Sequence, residues 1–228
     1  MSRMQISVCT TLSRDMSFFG LPSSPNQQTT GPANKRNVNP LSGSQGPELE
    51  KVTSLSDVVK LPLGEDVNEW LAINTVDFCS HITALYNTVG EFCTPITCPN
   101  MDAGSTDEDT LADAFTTFLP RTVSAPEYVE HLTDWIDTQM GDETIFPRKP
   151  EAPFPPDFKD FVKRILKRLY RVFAHIYRSH YQKIVCLEME PHLNTCFEHF
   201  VLFVTEFQLV DKIELDALKE LVEKILAP

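Results

Sequence analysis

Val67, Trp70, Leu71, Phe78, Ile82, Leu85 and Val89 return at the intervals of one face of an α-helix. Pro62 and Gly64 precede this run and Gly90 follows it, so the pattern predicts a core helix between them. A second start is written at Ser124-Ala-Pro-Glu127, a capping box with proline near the first helical position. Tyr128, Leu132, Trp135 and Ile136 then carry an apolar face to about Gly141. The strongest stripe comprises Phe158, Phe161, Val162, Ile165, Leu166, Leu169, Val172, Phe173 and Ile176, in a helix expected from Asp157 to Lys183. Pro191 opens another helix. Its apolar residues Leu193, Phe197, Phe200, Val201, Val204 and Phe207 cover much of the circumference, which predicts a central, buried position. Asp211 and Glu214 suit the start of a last helix carried inward by Leu215, Leu218, Val222 and Ile225. The sum is an all-α helical bundle of about five to six helices.

Two stretches lack this period. Residues 1–50 are rich in Ser, Thr, Asn, Gln, Gly and Pro and hold too few large apolar residues to close a core, so they are expected to form a disordered arm ahead of a domain over 51–228. Residues 91–124 combine a cysteine loop with turn-rich acidic sequence and predict a loose β-hairpin or long loop.

Length and charge narrow the function. A chain of 228 residues affords one domain plus a tail, with a core burying roughly 70% of the surface of the unfolded chain. No apolar run approaches the roughly 20 residues of a membrane span, and residues 1–15 lack a signal-peptide block, so a soluble intracellular protein with reduced thiols is expected. The net charge of −12 disfavours nucleic acid and anionic membrane as partners and favours a basic protein or peptide.

Cys93 and Cys98 have four residues between them, as do His175 and His180, and together they read as one Cys2His2 zinc site. With every coordination place taken by protein, such a site braces a fold and catalyses nothing. The same residues also read as core histidines and buried thiols, as do Cys79, Cys186 and Cys196. Histidines five positions apart on an unbroken α-helix point about 140° away from each other, so the helix is expected to end between them. The 76 residues from Cys98 to His175 exclude a short zinc finger and require the site to form by tertiary folding.

Charge is segregated. The helix from Asp157 to Lys183 carries eight of the twenty Lys and Arg residues and two carboxylates. Lys163, Lys167, Arg171 and Arg178, with Arg164 and Arg168 beside them, are expected on the face opposite the apolar stripe. That row could grip a phosphate, or could simply be a solvated surface. Glu65, Glu69 and Asp77 gather on the first core helix, away from most of its apolar stripe. They form an acidic patch able to meet a basic helix or merely to solubilise the domain.

Several stretches in order then become recognisable: "LPLGEDVNEWLAINTVDF", "EFCTPITCP", "SAPEYVEHLTDWI", "ETIFP", "PFPPDF", "ILKRLYRVFAHIYRSHY" and "HLNTCFEHFVLFVTEFQLVD". Over roughly residues 58–226 the chain resembles the Mob kinase co-activator family, the Mob/phocein domain, and especially its branch working with NDR/LATS-type kinases. The resemblance implies a helical bundle with one structural Zn2+ on Cys93, Cys98, His175 and His180, and no enzymatic activity. It implies that Glu65, Glu69 and Asp77, with Trp70 in the same helix, bind the basic N-terminal regulatory segment of an NDR/LATS-type AGC kinase. It places the family's phosphothreonine pocket, which receives an upstream Ste20/Hippo-type kinase, on Lys167, Arg168 and Arg171. Location in cytoplasm and nucleus, with recruitment to spindle poles or the division site, is implied in the same way.

The chain also departs from that pattern. Acidic "STDEDTLADAFTTF" stands where an aromatic strand is usual, and "VTSLSDVV" replaces the usual phosphorylatable threonine context, leaving Thr53, Ser54 or Ser56 as substitutes. The rivals are a phosphopeptide scaffold that activates no NDR-type kinase and, more remotely, a zinc hydrolase. The latter lacks a His-Glu-x-x-His helix. Mitotic exit, septation, morphogenesis and growth control all remain open as outputs.

Overall fold

The computed structural model describes residues 54–101, 123–149 and 152–227. The expected arm, Thr53 and most of the expected hairpin, residues 102–122, lie outside these. In chain order the elements are α1 (Leu55–Val58), α2 (Val67–Val89), α3 (Ala125–Gly141), α4 (Phe158–His175), a π-helical turn (Ile176–His180), α5 (Tyr181–Cys186), α6 (Glu190–Glu206), a 3-10 turn (Glu214–Leu218) and α7 (Lys219–Leu226). The described residues contain no strand, and no helix among them is long and apolar enough to cross a membrane. The all-α architecture is as the periodicity predicts.

The start of α2 is built from local chemistry. The Glu65 amide closes a turn onto the Pro62 carbonyl at 3.2 Å, with Gly64 at φ +89°, a backbone region that strains residues bearing a Cβ. Asp66 follows as the N-cap, and its carboxylate accepts from the Asn68 and Glu69 amides at 2.8 and 3.2 Å. Glu65 therefore precedes the helix rather than riding on it, which corrects the helical placement expected for it. At the far end Gly90 keeps a right-handed φ of −56°, and the chain turns beneath the helix as the Cys93 amide donates to Val89 at 3.0 Å. That turn delivers Cys93 to the interior.

The core forms where α2, α4 and α6 meet. Phe78 of α2 makes edge contacts with Phe200 and Phe203 of α6, each at 5.3 Å between ring centres. Phe173 of α4 meets Phe197 and Phe200 at 5.2 and 5.3 Å. The apolar surround of α6 thus has aromatic partners on two sides, in accord with the central position predicted for it. α5 and α6 end on left-handed residues that are not glycine, Glu188 (φ 57°) and Gln208 (φ 52°). Past them Met189 and Leu209 donate back to the Ile184 and Val204 carbonyls at 3.0 and 2.9 Å.

The last helix starts later than the charge pattern implies. Tyr170, buried in α4, donates its hydroxyl to the Leu215 carbonyl at 2.7 Å and accepts from the Leu218 amide at 3.1 Å. An α-helix would use both groups in its own ladder, so the chain runs as a 3-10 turn until Lys219. Tyr170→Phe strands a buried carbonyl and a buried amide together. It is expected to lower stability by about 2 kcal/mol in urea unfolding; an unchanged midpoint would show that the turn is held by other contacts.

Candidate metal centre and charged faces

The cysteines are set by a compact loop that follows α2. Thr97 donates its hydroxyl to the Phe92 carbonyl at 2.7 Å and accepts from the Thr94 amide at 2.9 Å, while the Cys98 amide donates to Thr94 at 2.8 Å. The Cys98 carbonyl in turn accepts from the Ala125 amide at 3.0 Å, so the loop satisfies one of the free donors at the start of α3. Both sulfurs face the end of α4.

There the histidines are brought together by a route the sequence did not reveal. The helix does not end between them. It loosens into the π-helical turn Ile176–His180, whose hydrogen-bond repeat is five residues rather than four, and residues five apart come to stand over one another. His175 and His180 then lie with ring centres 5.0 Å apart. Cys93 Sγ is 3.4 Å from His175 Nε2 and Cys98 Sγ is 3.4 Å from His180 Nε2. All four donor atoms fall within 4.8 Å of one another.

The arrangement fits a tetrahedral metal. Ordinary zinc–sulfur and zinc–nitrogen bonds place neighbouring S and N ligands about 3.6 Å apart, close to the observed pairs. All four residues are buried, and the two thiols and two imidazoles are the donor types that borderline-soft divalent ions select. Burial pushes the Cys93 thiol up to about 11, with Tyr86 opposing the shift, so a bound metal would have to displace its proton. The Tyr86 hydroxyl, buried and without a hydrogen bond of full geometry, lies against that sulfur and would find its acceptor in a thiolate. Burial and then the neighbouring His175 hold His180 below the usual imidazole range, which favours the neutral ligand form. Ser179 Oγ stands 3.5 Å from His175 Nδ1, in position to orient the ring.

Glu65, Glu69 and Asp77 are all exposed, spread from the turn before α2 along its first half. Trp70 is only half-exposed, and its indole donates to the Val59 carbonyl at 3.2 Å, fastening the segment that follows α1 to α2. Its place is that of a brace beneath the acidic face. Sequence reasoning passed over two apolar residues here. Ile73 and Val76 are 55% and 42% exposed, on the stretch between Glu69 and Asp77. Two aliphatics on the polar side of a helix were the available signal.

The basic residues of α4 are less open than a solvent-facing row. Lys167 pairs with Glu214 at 2.7 Å across to the 3-10 turn. Arg168 is 8% exposed, contrary to its expected place on the open face. Its guanidinium lies over the Trp135 ring at 4.5 Å and donates to the Arg164 carbonyl at 2.9 Å. α3 covers this side of α4 through Trp135, a residue the pattern assigned only to packing. Arg171, one turn beyond Lys167, is half-buried.

Comparison with known proteins gives this architecture its relatives. The sequence model of the Mob1/phocein family matches residues 48–218. MOB kinase activator-like 1A of Arabidopsis thaliana is 54% identical over 220 residues, covering 93% of this chain and 100% of its own. MOB kinase activator-like 1A of Medicago sativa subsp. falcata is 52% identical over 218 residues, covering 92% and 99%. MOB kinase activator-like 1 homolog A of Dictyostelium discoideum is 53% identical over 173 residues, covering 76% and 81%. With a family match over most of its length and identity above one half across nearly the whole of two relatives, the chain belongs to the Mob1/phocein family.

Proposed function

We propose that this protein is a non-catalytic kinase co-activator that binds the basic N-terminal regulatory segment of an NDR/LATS-type AGC kinase through the exposed start of α2. The observation that carries the reading is the composition of that surface. Glu65, Glu69 and Asp77 supply negative charge, and Ile73 and Val76 supply exposed apolar area between the last two. A basic amphipathic helix presents the complement of both. The names of the relatives, kinase activators, support the same role. Catalysis has no place in it, because four protein ligands would leave a metal no position for water or substrate.

Cys93, Cys98, His175 and His180 would hold Zn2+ as a structural cross-link between the loop after α2 and the end of α4. Lys167, Arg168 and Arg171 would receive a phosphothreonine segment of an upstream Ste20/Hippo-type kinase. Arg168 would act as a fixed charge beneath the pocket and Lys167 and Arg171 as its contacts. Action in cytoplasm and nucleus, with recruitment to spindle poles or the division site, belongs to the same proposal.

Titration of the purified protein with the N-terminal segments of the NDR/LATS-type kinases of the same organism tests the main reading. Ile73→Ser with Val76→Ser is expected to weaken the complex roughly tenfold or more while leaving its salt dependence in place, since the apolar contact carries no charge. Should no kinase segment bind a metal-loaded, folded protein, the co-activator reading falls and the phosphopeptide scaffold replaces it.

A further inference from the structure

The ion pair between Lys167 and Glu214 differs from an ordinary surface pair. Lys167 retains 36% of its side-chain exposure, but Glu214 retains only 15%. The carboxylate sits on the 3-10 turn, and the backbone of that turn is pinned to α4 by the Tyr170 hydroxyl at two points, the Leu215 carbonyl and the Leu218 amide. The backbone carrying Glu214 is thus held in place before any ligand arrives, and the lysine is the more exposed partner. Arg168 is engaged from below by Trp135 and the Arg164 carbonyl. The basic surface of α4 therefore carries a built-in carboxylate at the lysine assigned to anion binding.

We propose that Glu214 sets the affinity threshold of this basic pocket, by occupying Lys167 so that only a doubly charged phosphate group binds there at useful concentrations. The proposal rests on the reading of Lys167 and Arg171 as a phosphopeptide contact. An incoming anion that binds Lys167 competes with the 2.7 Å pair for the ammonium charge and sits close to the Glu214 carboxylate. A glutamate or aspartate side chain exchanges one singly charged carboxylate for another, so the swap gains little. A phosphothreonine carries close to two negative charges and three acceptor oxygens, and can engage Lys167 and Arg171 together. The cost of competing with Glu214 falls on both ligands, and it takes acidic peptides below useful affinity while phosphopeptides, with their extra charge and acceptors, stay above it. Glu214 acts here through Lys167 and is a positioning residue rather than a ligand contact.

The test uses the full chain and an array of phosphothreonine peptides with degenerate flanks. The best-bound peptide is then titrated beside its threonine and glutamate counterparts. Glu214→Gln is expected to tighten phosphopeptide binding roughly three- to tenfold and to bring the glutamate peptide into the measurable range. Asp216→Asn removes the same charge from an exposed position of the same turn and is expected to change binding less than twofold, which separates the gate from bulk charge. Thermal melting of each variant, with Lys212→Gln as an exposed control, establishes that the fold is intact. Unchanged or weaker phosphopeptide binding in a folded Glu214→Gln variant, with binding still lost in Lys167→Ala, overturns the gate and leaves the pocket standing. Binding that survives Lys167→Ala with Arg171→Ala removes the pocket itself, and the gate with it.

Discussion

Cys93→Ser is expected to lower the midpoint of thermal unfolding by about 10–15 °C. A metal bound a thousandfold more tightly than its free concentration stabilises the folded state by about 4 kcal/mol, and each kcal/mol moves the midpoint of a domain of this size by about 2–4 °C. The effect is large because of where the ligands sit. The cysteines lie in the loop that follows α2, where the Cys98 carbonyl accepts from the first amide of α3, and the histidines stand at either end of the join between α4 and the π-helical turn, so loss of the site uncouples the ends of α2, α3 and α4. Chelation of the wild-type protein should produce the same loss without any substitution. Cys186→Ser, at an exposed thiol, is expected to stay within about 0.5 kcal/mol of wild type. Elemental analysis finding no stoichiometric metal, together with a midpoint indifferent to chelator, would refute the metal centre. Recovery by zinc specifically would identify the ion.

Glu65→Lys combined with Glu69→Lys should weaken binding of a basic kinase segment at least a hundredfold. Close charge pairs across an interface couple by about 1.5 kcal/mol or more, so reversing two of them costs about 3 kcal/mol, and each 1.4 kcal/mol is a factor of ten. The variant should also lose most of the salt dependence of the complex. Stability should change little, because both residues are exposed. Glu69 does lie in the first turn of α2, where a negative charge favours the helix and a positive one costs up to about 1 kcal/mol. A melting curve distinguishes that small loss from unfolding. Affinity equal to wild type in the folded double variant would show that the kinase segment binds elsewhere.

These two experiments probe features of different legibility. The acidic residues could be counted and grouped directly, and their exposure follows from the cost of burying an unpaired charge. Their apolar companions Ile73 and Val76 escaped notice because a β-branched aliphatic on a helix is ordinarily read as core. The four candidate metal donors stand out by spacing, but the geometry that joins them does not. A regular helix separates His175 from His180, and the expected remedy was a helix end. The chain uses a wider turn instead, which has poor local geometry and persists where contacts from 82 residues away hold both imidazoles.

Arg168 and Glu214 show the same limit on the other face. Nothing in the sequence near Arg168 says that Trp135 will cover it, and Glu214 reads locally as the acidic start of a helix. Which residues lie under a side chain depends on how separate helices cross, a property of packed surfaces and not of any window of sequence. By itself the sequence determined the all-α class, the course of α2, α3, α4 and α6, the capping of α3 and the four residues that make up the candidate metal cluster, because helical period, capping and ligand chemistry are local. Only the tertiary structure decided that His175 and His180 meet through a π-turn, that the last helix waits for Lys219 behind the Tyr170 hydroxyl, and that Lys167 is already paired, because each depends on a partner far along the chain.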